Sequence, residues 1–376
     1  MISTQYFTAP ETKSISYIET IGHLIDSIPN KDRILSLSFF GSSCDDNYAE
    51  IHFQIKIKVQ AVFINNTPLI TYIAQDLNQS GGFAVEVNYL NSDISFESVN
   101  FSTYINTRYV CINILKNRIL LLEGVQANSF KDAISIQAKE IFVKIDNILE
   151  LENFQISDIV RQWNYIGKIT EIQEDIQNYQ AFNNERAKFY AQTEWPTAYP
   201  AATGIGMDCN GLIVSLVAIS NGEDFLVYPI NNPLQIAAHN YSPTVLIGDN
   251  PVKYTPKFER AKIIQSKSNT YCFVSGTAAI RGEQSIENMH VSAQTVQTIQ
   301  NILYLISNEN LRKQDIEVSS ELKMQSLRIY VKYFDDIEKV KAEVNKTWPH
   351  VPAIYLKGDI CRTELLVEIE GFAKEK

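Results

Sequence analysis

Between Gly358 and Ala373 the sequence reads Gly-Asp-Ile-Cys-Arg-Thr-Glu-Leu-Leu-Val-Glu-Ile-Glu-Gly-Phe-Ala, setting one thiol and several carboxylates in an otherwise apolar stretch. Its parity separates Leu366, Glu368 and Glu370 from Leu365, Val367 and Ile369, the pattern of a strand with one apolar face and one face bearing two successive carboxylates. A carboxyl group partly enclosed by a sheet holds its proton to higher pH and can act as a general acid. Glu368 is therefore the candidate acid, with Cys361 the nearby thiol; Glu370 reads as a bystander of the same face. Taken alone, such a strand also fits an ordinary solvent-facing edge, and such a cysteine an ordinary buried apolar residue.

Other chemistries find little support. The five histidines (His23, His52, His239, His290 and His350) are scattered without ligand spacing, so no metal site is expected. The five cysteines are odd in number and lack a C-x-x-C pair, which suggests free thiols in a reducing compartment. Neither a glycine-rich phosphate loop nor a G-x-S-x-G element occurs, which removes dinucleotide, P-loop and serine-hydrolase readings. Acidic residues outnumber basic ones, 43 to 33, and a net charge of -10 argues against nucleic acid or an anionic membrane as partner. No leader-like segment or membrane-length apolar run is apparent, and a cytoplasmic protein is expected.

The elements that must position these residues follow from periodicity. Residues 49–63 alternate Ile51, Phe53, Ile55, Ile57, Val59, Ala61 and Phe63, which predicts a strand. Strands are also expected at 34–40, 82–89, 101–106, 118–123, 211–219, 224–230, 270–280, 326–334, 353–360 and 364–373. Helices are expected from Ser129 onward, over about 166–190, at 290–307 and at 336–347. A chain of 376 residues exceeds one ordinary core, and Trp195-Pro196 breaks the long helical stretch, so two domains are expected, 1–195 and 196–376. The class is α+β: a mixed sheet backed by two helices in the C-terminal domain, with the N-terminal domain read as a diverged copy.

Four segments carry a family resemblance: Arg161-Gln-Trp-Asn-Tyr-Ile166 with Phe182-Asn-Asn-Glu-Arg186, then Tyr199-Pro-Ala-Ala-Thr-Gly-Ile-Gly206, then Phe273-Val-Ser-Gly-Thr-Ala-Ala-Ile280, and finally the strand from Cys361 to Glu368. In this order and spacing they resemble the chorismatase family, whose members cleave chorismate on a RidA/YjgF-like fold. The resemblance spans about residue 155 to the C-terminus. It implies Glu368 as proton donor to the enolpyruvyl group, and Cys361 as similar to the thiol of members that form 3-hydroxybenzoate. It implies no metal and no organic cofactor.

Chorismate is a dianion, so guanidinium forks are needed; Arg161, Arg260 and Arg362 are the candidates, with Tyr254 as a neutral donor. Arg186 is a weaker candidate of the same kind. Gly276 and Thr277 would bring backbone amides to an anion, or else only shape close packing. Where family members commonly continue with Gly-His, this chain reads Ile280-Arg-Gly-Glu283, and Leu234 stands where an Arg commonly follows Asn-Pro. The expected activity is conversion of chorismate to 3-hydroxybenzoate and pyruvate by a monomer. The alternatives are a chorismatase giving 4-hydroxybenzoate or a dihydrodiol, a non-catalytic relative that binds aromatic acids, or an imine deaminase; Pro352-Ala-Ile354 lacks the arginine the last would use.

Overall fold

The computed structural model describes residues 2–9, 16–64, 66–77, 82–114, 116–173, 175–220, 222, 224–242, 245, 253–267, 269–286 and 289–376. One order of elements recurs three times along the chain. The first repeat comprises β1 (Ile2–Thr8), α1 (Tyr17–Ser27), β2 (Ile34–Gly41), α2 (Tyr48–Val62), β3 (Leu69–Ala74) and β4 (Phe83–Leu90), with sheet order β1-β4-β2-β3.

The second repeat begins with β5 (Val99–Tyr104), β6 (Thr107–Ile114) and β7 (Asn117–Gln126). It continues through α3 (Ile134–Leu151), β8 (Ile159–Gly167), the small ribbon β9 (Ile172–Gln173) and β10 (Ile176–Gln177), α4 (Asn178–Tyr190), β11 (Ala201–Met207) and β12 (Leu212–Ile219). Its sheet runs β11-β8-β12-β7-β6-β5.

The third repeat opens with β13 (Leu226–Ile230), β14 (Ala261–Gln265) and β15 (Thr270–Thr277). A ribbon, β16 (Ile280–Arg281) and β17 (Gln284–Ser285), precedes α5 (Val291–Leu305) and α6 (Asn308–Arg312). After them come β18 (Leu322–Val331), α7 (Ile337–Thr347), β19 (Ala353–Lys357) and β20 (Val367–Glu375), in a sheet ordered β13-β14-β15-β20-β18-β19. The second and third sheets share one topology strand for strand, and the first is the same unit without its two leading strands. In each, β2–β3, β8–β11 and β18–β19 are the parallel pairs and the remaining pairings are antiparallel.

Strand alternation decides how the repeats meet. On β6 and β7, Tyr109, Cys111, Leu120 and Leu122 pack beneath α3 and α4, while Val110, Ile112, Ile119 and Leu121 turn to the opposite face. That face joins Leu35, Leu69 and Leu90 of the first repeat and Ile264 of the third in a core shared by all three. The helices thus lie outside and the sheets face inward. No helix among the described residues is long and apolar enough to cross a membrane.

The α+β class holds, and the last repeat has the mixed sheet backed by two helices, α5 and α7. Three local expectations do not. Residues 48–62 form helix α2, not a strand: Ile51, Ile55 and Val59, spaced by four, are buried, whereas Phe53 and Ile57 are 57% and 42% exposed. The period-2 run was apolar on both helical faces, and tertiary burial selected the period near 3.6.

The helix expected over 166–190 begins only at Asn178, because the preceding residues finish β8 and form the β9–β10 ribbon. The boundary expected at 195 ends α4's surroundings but not its sheet, since β11 and β12 lie beyond it and pair with β8. The N-terminal 195 residues therefore hold a partial repeat and most of a complete one.

Candidate active site

Glu368 and Glu370 leave β20 on the face away from the helices, while Val367 and Ile369 enter the core beneath α5 and α7. The repeats meet at this face. Edge strand β11 of the second repeat is sewn to the third by the Glu259 amide donating to the Pro200 carbonyl at 2.9 Å and the Gly206 amide donating to the Asp359 carbonyl at 2.8 Å. Ser275 Oγ accepts from the Ala202 amide at 2.9 Å and donates to the Glu259 carbonyl at 2.6 Å. Above this seam opens a cleft with about 790 Å³ of empty space.

Side chains of both repeats line the cleft. Tyr179, Gln180 and Arg186 come from α4 and Gly204 from β11; Arg260, Gly276, Cys361, Arg362, Leu365 and Glu368 come from the third repeat. Gly276 is required there by close approach: a Cβ at this position would lie 2.0 Å from Glu368 Oε1. Its amide donates to Thr203 Oγ1 at 3.0 Å, which anchors the backbone under the carboxyl group. Phe258, Pro256, Ile280 and Leu365 give apolar walls.

Glu368 is 5% exposed. Burial, followed by the charge of Glu370, raises its pKa to about 8, against the opposing pull of Arg161 and Arg260. At neutral pH the group carries its proton inside a cleft that also holds three guanidinium groups. Burial, and next the Glu368 carboxylate, push the Cys361 thiol up to about 12, so the sulfur is a neutral thiol and a poor nucleophile. Tyr179 is likewise held as a phenol, chiefly by burial.

The three arginines are positioned differently. Arg186 donates through Nη2 to Asn183 Oδ1 at 2.6 Å, and its buried Nε has no partner among the described residues. Arg260 donates through Nη2 to the Ile236 carbonyl and the Tyr241 hydroxyl, at 2.7 and 2.6 Å, again with Nε unpartnered. Arg362 donates through Nη1 to the Glu283 carbonyl at 2.8 Å and to Ser285 Oγ at 3.1 Å. Glu283 itself accepts from the Ser242 amide and hydroxyl at 2.7 and 2.6 Å, tying that loop to the Arg362 side of the cleft. The guanidinium groups of Arg186 and Arg260, buried and incompletely satisfied, are poised for an anion.

Of the residues singled out in the sequence, Glu368, Cys361, Arg260, Arg362 and Gly276 converge here. Arg161 does not line this cleft. It lies on the inward face, paired with Glu370 at 2.5 Å and donating to Thr203 Oγ1 at 2.7 Å. Tyr254 is 40% exposed and supports the cleft through its main chain, which accepts from Gln180 Nε2 at 2.8 Å. Thr277 turns its hydroxyl to the Ser275 carbonyl at 2.9 Å. Glu370 is no bystander: it accepts from Arg161, Thr203, Trp163 (3.0 Å) and Tyr330 (3.2 Å), and Arg328 Nη1 lies 3.3 Å away. Sequence spacing missed Tyr179 and Gln180 and undervalued Arg186, whose only signal was its place in the Phe182–Arg186 segment. Among the described residues no group of three His, Cys, Asp or Glu side chains could hold a metal ion.

Comparison with known proteins follows the same lines. Residues 105–218 match the family model described as chorismatase FkbO/Hyg5-like, N-terminal. A 3-hydroxybenzoate synthase of Streptomyces hygroscopicus is 32% identical over 232 residues, which cover 59% of this chain and 65% of the relative. A chorismatase of the same organism is 30% identical over 217 residues, 57% of this chain and 60% of that one. The match therefore spans less than two thirds of each relative's length. A crystal structure of chorismatase superposes with a TM-score of 0.69 over 98% of this chain and 99% of the other at 19% identity, which shows a shared fold.

Proposed function

Because the chain belongs to the chorismatase family, we propose that it cleaves chorismate, releasing pyruvate, with Glu368 as the general acid. The observation that carries this reading is a buried carboxyl group, protonated at neutral pH, facing a cleft with Arg186, Arg260 and Arg362. Chorismate carries two carboxylates and an enolpyruvyl ether. The guanidinium groups suit the carboxylates, and the acid suits the methylene carbon of the ether.

Proton transfer from Glu368 to that methylene makes it a methyl group and leaves an oxocarbenium ion beside the new Glu368 carboxylate. The charge created on the enzyme stabilises the charge created on the substrate at short range, in a cleft whose apolar walls exclude water. Loss of the ether bond then yields pyruvate. If the ring hydroxyl displaces the pyruvyl group, chorismate becomes 3-hydroxybenzoate and pyruvate with no water consumed; if water does, a dihydrodiol forms and one water is used.

We read the product as 3-hydroxybenzoate. Support comes from Cys361, placed in the same cleft as Glu368 with its thiol neutral, and from the relative named 3-hydroxybenzoate synthase. The chain is read as a monomer, because three like units meet around one shared core, and the reading calls on no metal or organic cofactor, since Glu368 supplies the proton. Incubation with chorismate and coupled detection of pyruvate by lactate dehydrogenase tests the activity, and absence of pyruvate overturns it. Chromatography of the same mixture separates 3-hydroxybenzoate from 4-hydroxybenzoate and the dihydrodiol, and light scattering at a trimer mass would overturn the monomer.

A further inference from the structure

A second cleft, with about 1110 Å³ of empty space, lies between the first and second repeats. It stands where the candidate active site stands between the second and third. In both, a helix and a parallel edge strand of one repeat face the third strand of the next: α2 and β3 against β7 here, α4 and β11 against β15 there.

The correspondence reaches single residues. Lys56 is the ninth residue of α2, and Arg186 the ninth of α4. Thr71 is the third residue of β3, and Thr203 the third of β11. A Cβ built on Gly124 would meet Thr71 Oγ1 at 2.8 Å, as one on Gly276 would meet Thr203 Cγ2 at 3.2 Å.

One feature is not repeated. Thr277, which follows Gly276, pairs with Ile369, so the acid Glu368 precedes the paired residue. Val125, which follows Gly124, pairs with Val214, and the residue before it is Ile213, fully buried. This cleft keeps cations and has buried Ile213 where the other has Glu368.

Two of its polar groups, His52 and Lys56, are uncommitted. His52 Nε2 is shut off from solvent with no hydrogen-bond partner among the described residues. Burial and the neighbouring Lys56 keep that imidazole neutral, with a pKa down to about 3. Lys56 makes no hydrogen bond or ion pair among the described residues. Arg108 uses Nε and Nη2 on the Thr67 carbonyl, at 3.1 and 2.9 Å, and Lys144 pairs with Glu140 at 2.7 Å. The acidic group in the wall, Glu123, is raised to about 7 mainly by burial. Pro68, Ile70 and Ala127 supply an apolar side for an organic body.

We propose that this cleft binds a small organic carboxylate without transforming it. The assignment does not depend on the activity argued above. Benzoate serves as the probe, titrated calorimetrically into the full chain and into K56E, K56Q and R260A. Binding that weakens at least tenfold in K56E and K56Q and persists in R260A supports the site. Absence of benzoate binding at millimolar concentration overturns the proposal, and so does binding unchanged in both Lys56 variants or lost in R260A. Tighter binding of inorganic phosphate than of benzoate at the Lys56-dependent site overturns the carboxylate assignment. Turnover of chorismate in K56Q is expected within twofold of the parent.

Discussion

Glu368 and Glu370 stand two residues apart on one face of β20, and the second sets the condition of the first. Glu370 is ion-paired with Arg161 on the inward side, and its charge is the largest influence after burial in keeping the proton on Glu368. One strand thereby carries both the proposed acid and the anion that keeps it protonated.

Replacing Glu370 with Gln removes that anion and leaves Arg161 and Arg328 undercompensated. The alkaline limb of the turnover profile, expected near pH 8 in the parent, moves to lower pH. Breaking a buried pair also costs about 3–5 kcal/mol of stability. A pH–rate profile with a denaturant titration reads both, and an unmoved limb would sink the assignment.

Glu368→Gln removes the transferable proton while keeping shape. Turnover of chorismate is expected to fall about 10²–10⁴-fold, the usual worth of a general acid, with chorismate binding retained in a calorimetric titration. Stability runs the other way. A carboxyl group whose pKa is about 8 folded and about 4.3 unfolded keeps its proton in the folded state where the unfolded state has lost it. Stability therefore falls as pH rises through that window, by up to about 1.4 kcal/mol per pH unit from this group. In the Gln variant the slope between these limits is shallower.

Gly276→Ala should separate fold from function. The added Cβ would sit 2.0 Å from Glu368 Oε1, at the end of a flexible side chain, so the carboxyl moves and the backbone need not. A loss of turnover of about 10²-fold, the scale for displacing a catalytic group by about 1 Å, with an unchanged circular dichroism melt, is the expected outcome.

Arg186→Ala and Arg161→Ala are predicted to differ in kind. Loss of Arg186 from the cleft wall raises KM, by a factor matching about 1.5–3 kcal/mol for a charged hydrogen bond, with a small effect on melting. Loss of Arg161 removes the closer of the two arginines beside buried Glu370 and appears first as destabilisation. Steady-state kinetics beside thermal melts distinguish the two.

Cys361 should resist alkylation. With its thiol pushed to about 12, iodoacetamide at pH 7.5 reacts first at the exposed Cys44, as peptide mass spectrometry would show. Cys361→Ala is expected to retain pyruvate release and shift the aromatic product toward the dihydrodiol. An unchanged product in the chromatogram would remove the thiol from the choice of nucleophile.

The sequence announced the terminal strand well because its alternation is unusually clean: Val367 and Ile369 point one way, Glu368 and Glu370 the other, and the structure keeps that parity. It misled at 49–63, where Phe53 and Ile57 are apolar yet exposed, so the pattern recorded composition and not burial. The role of Arg161 was illegible for a different reason. A buried arginine looks the same in sequence whether its partner is a ligand or Glu370, and the partner lies 209 positions along the chain. A copy was expected but not that there are three units, since each satisfies the same strand order with different side chains, as Lys56 and Arg186 illustrate.

The inward faces of the sheets hold a chain of charges that begins far from the cleft. Glu86 on β4 grips Arg328 through two bonds, at 2.5 and 2.6 Å; Arg328 reaches Glu370; and Glu370 governs Glu368. Residues of the first repeat that do not line the cleft thus help to fix the anion beside the proposed acid. Under the proposed reaction, natural variation or laboratory selection can act there without altering the cleft walls, at the stability cost of disturbing a buried pair, and a search for adaptive changes confined to those walls would overlook it.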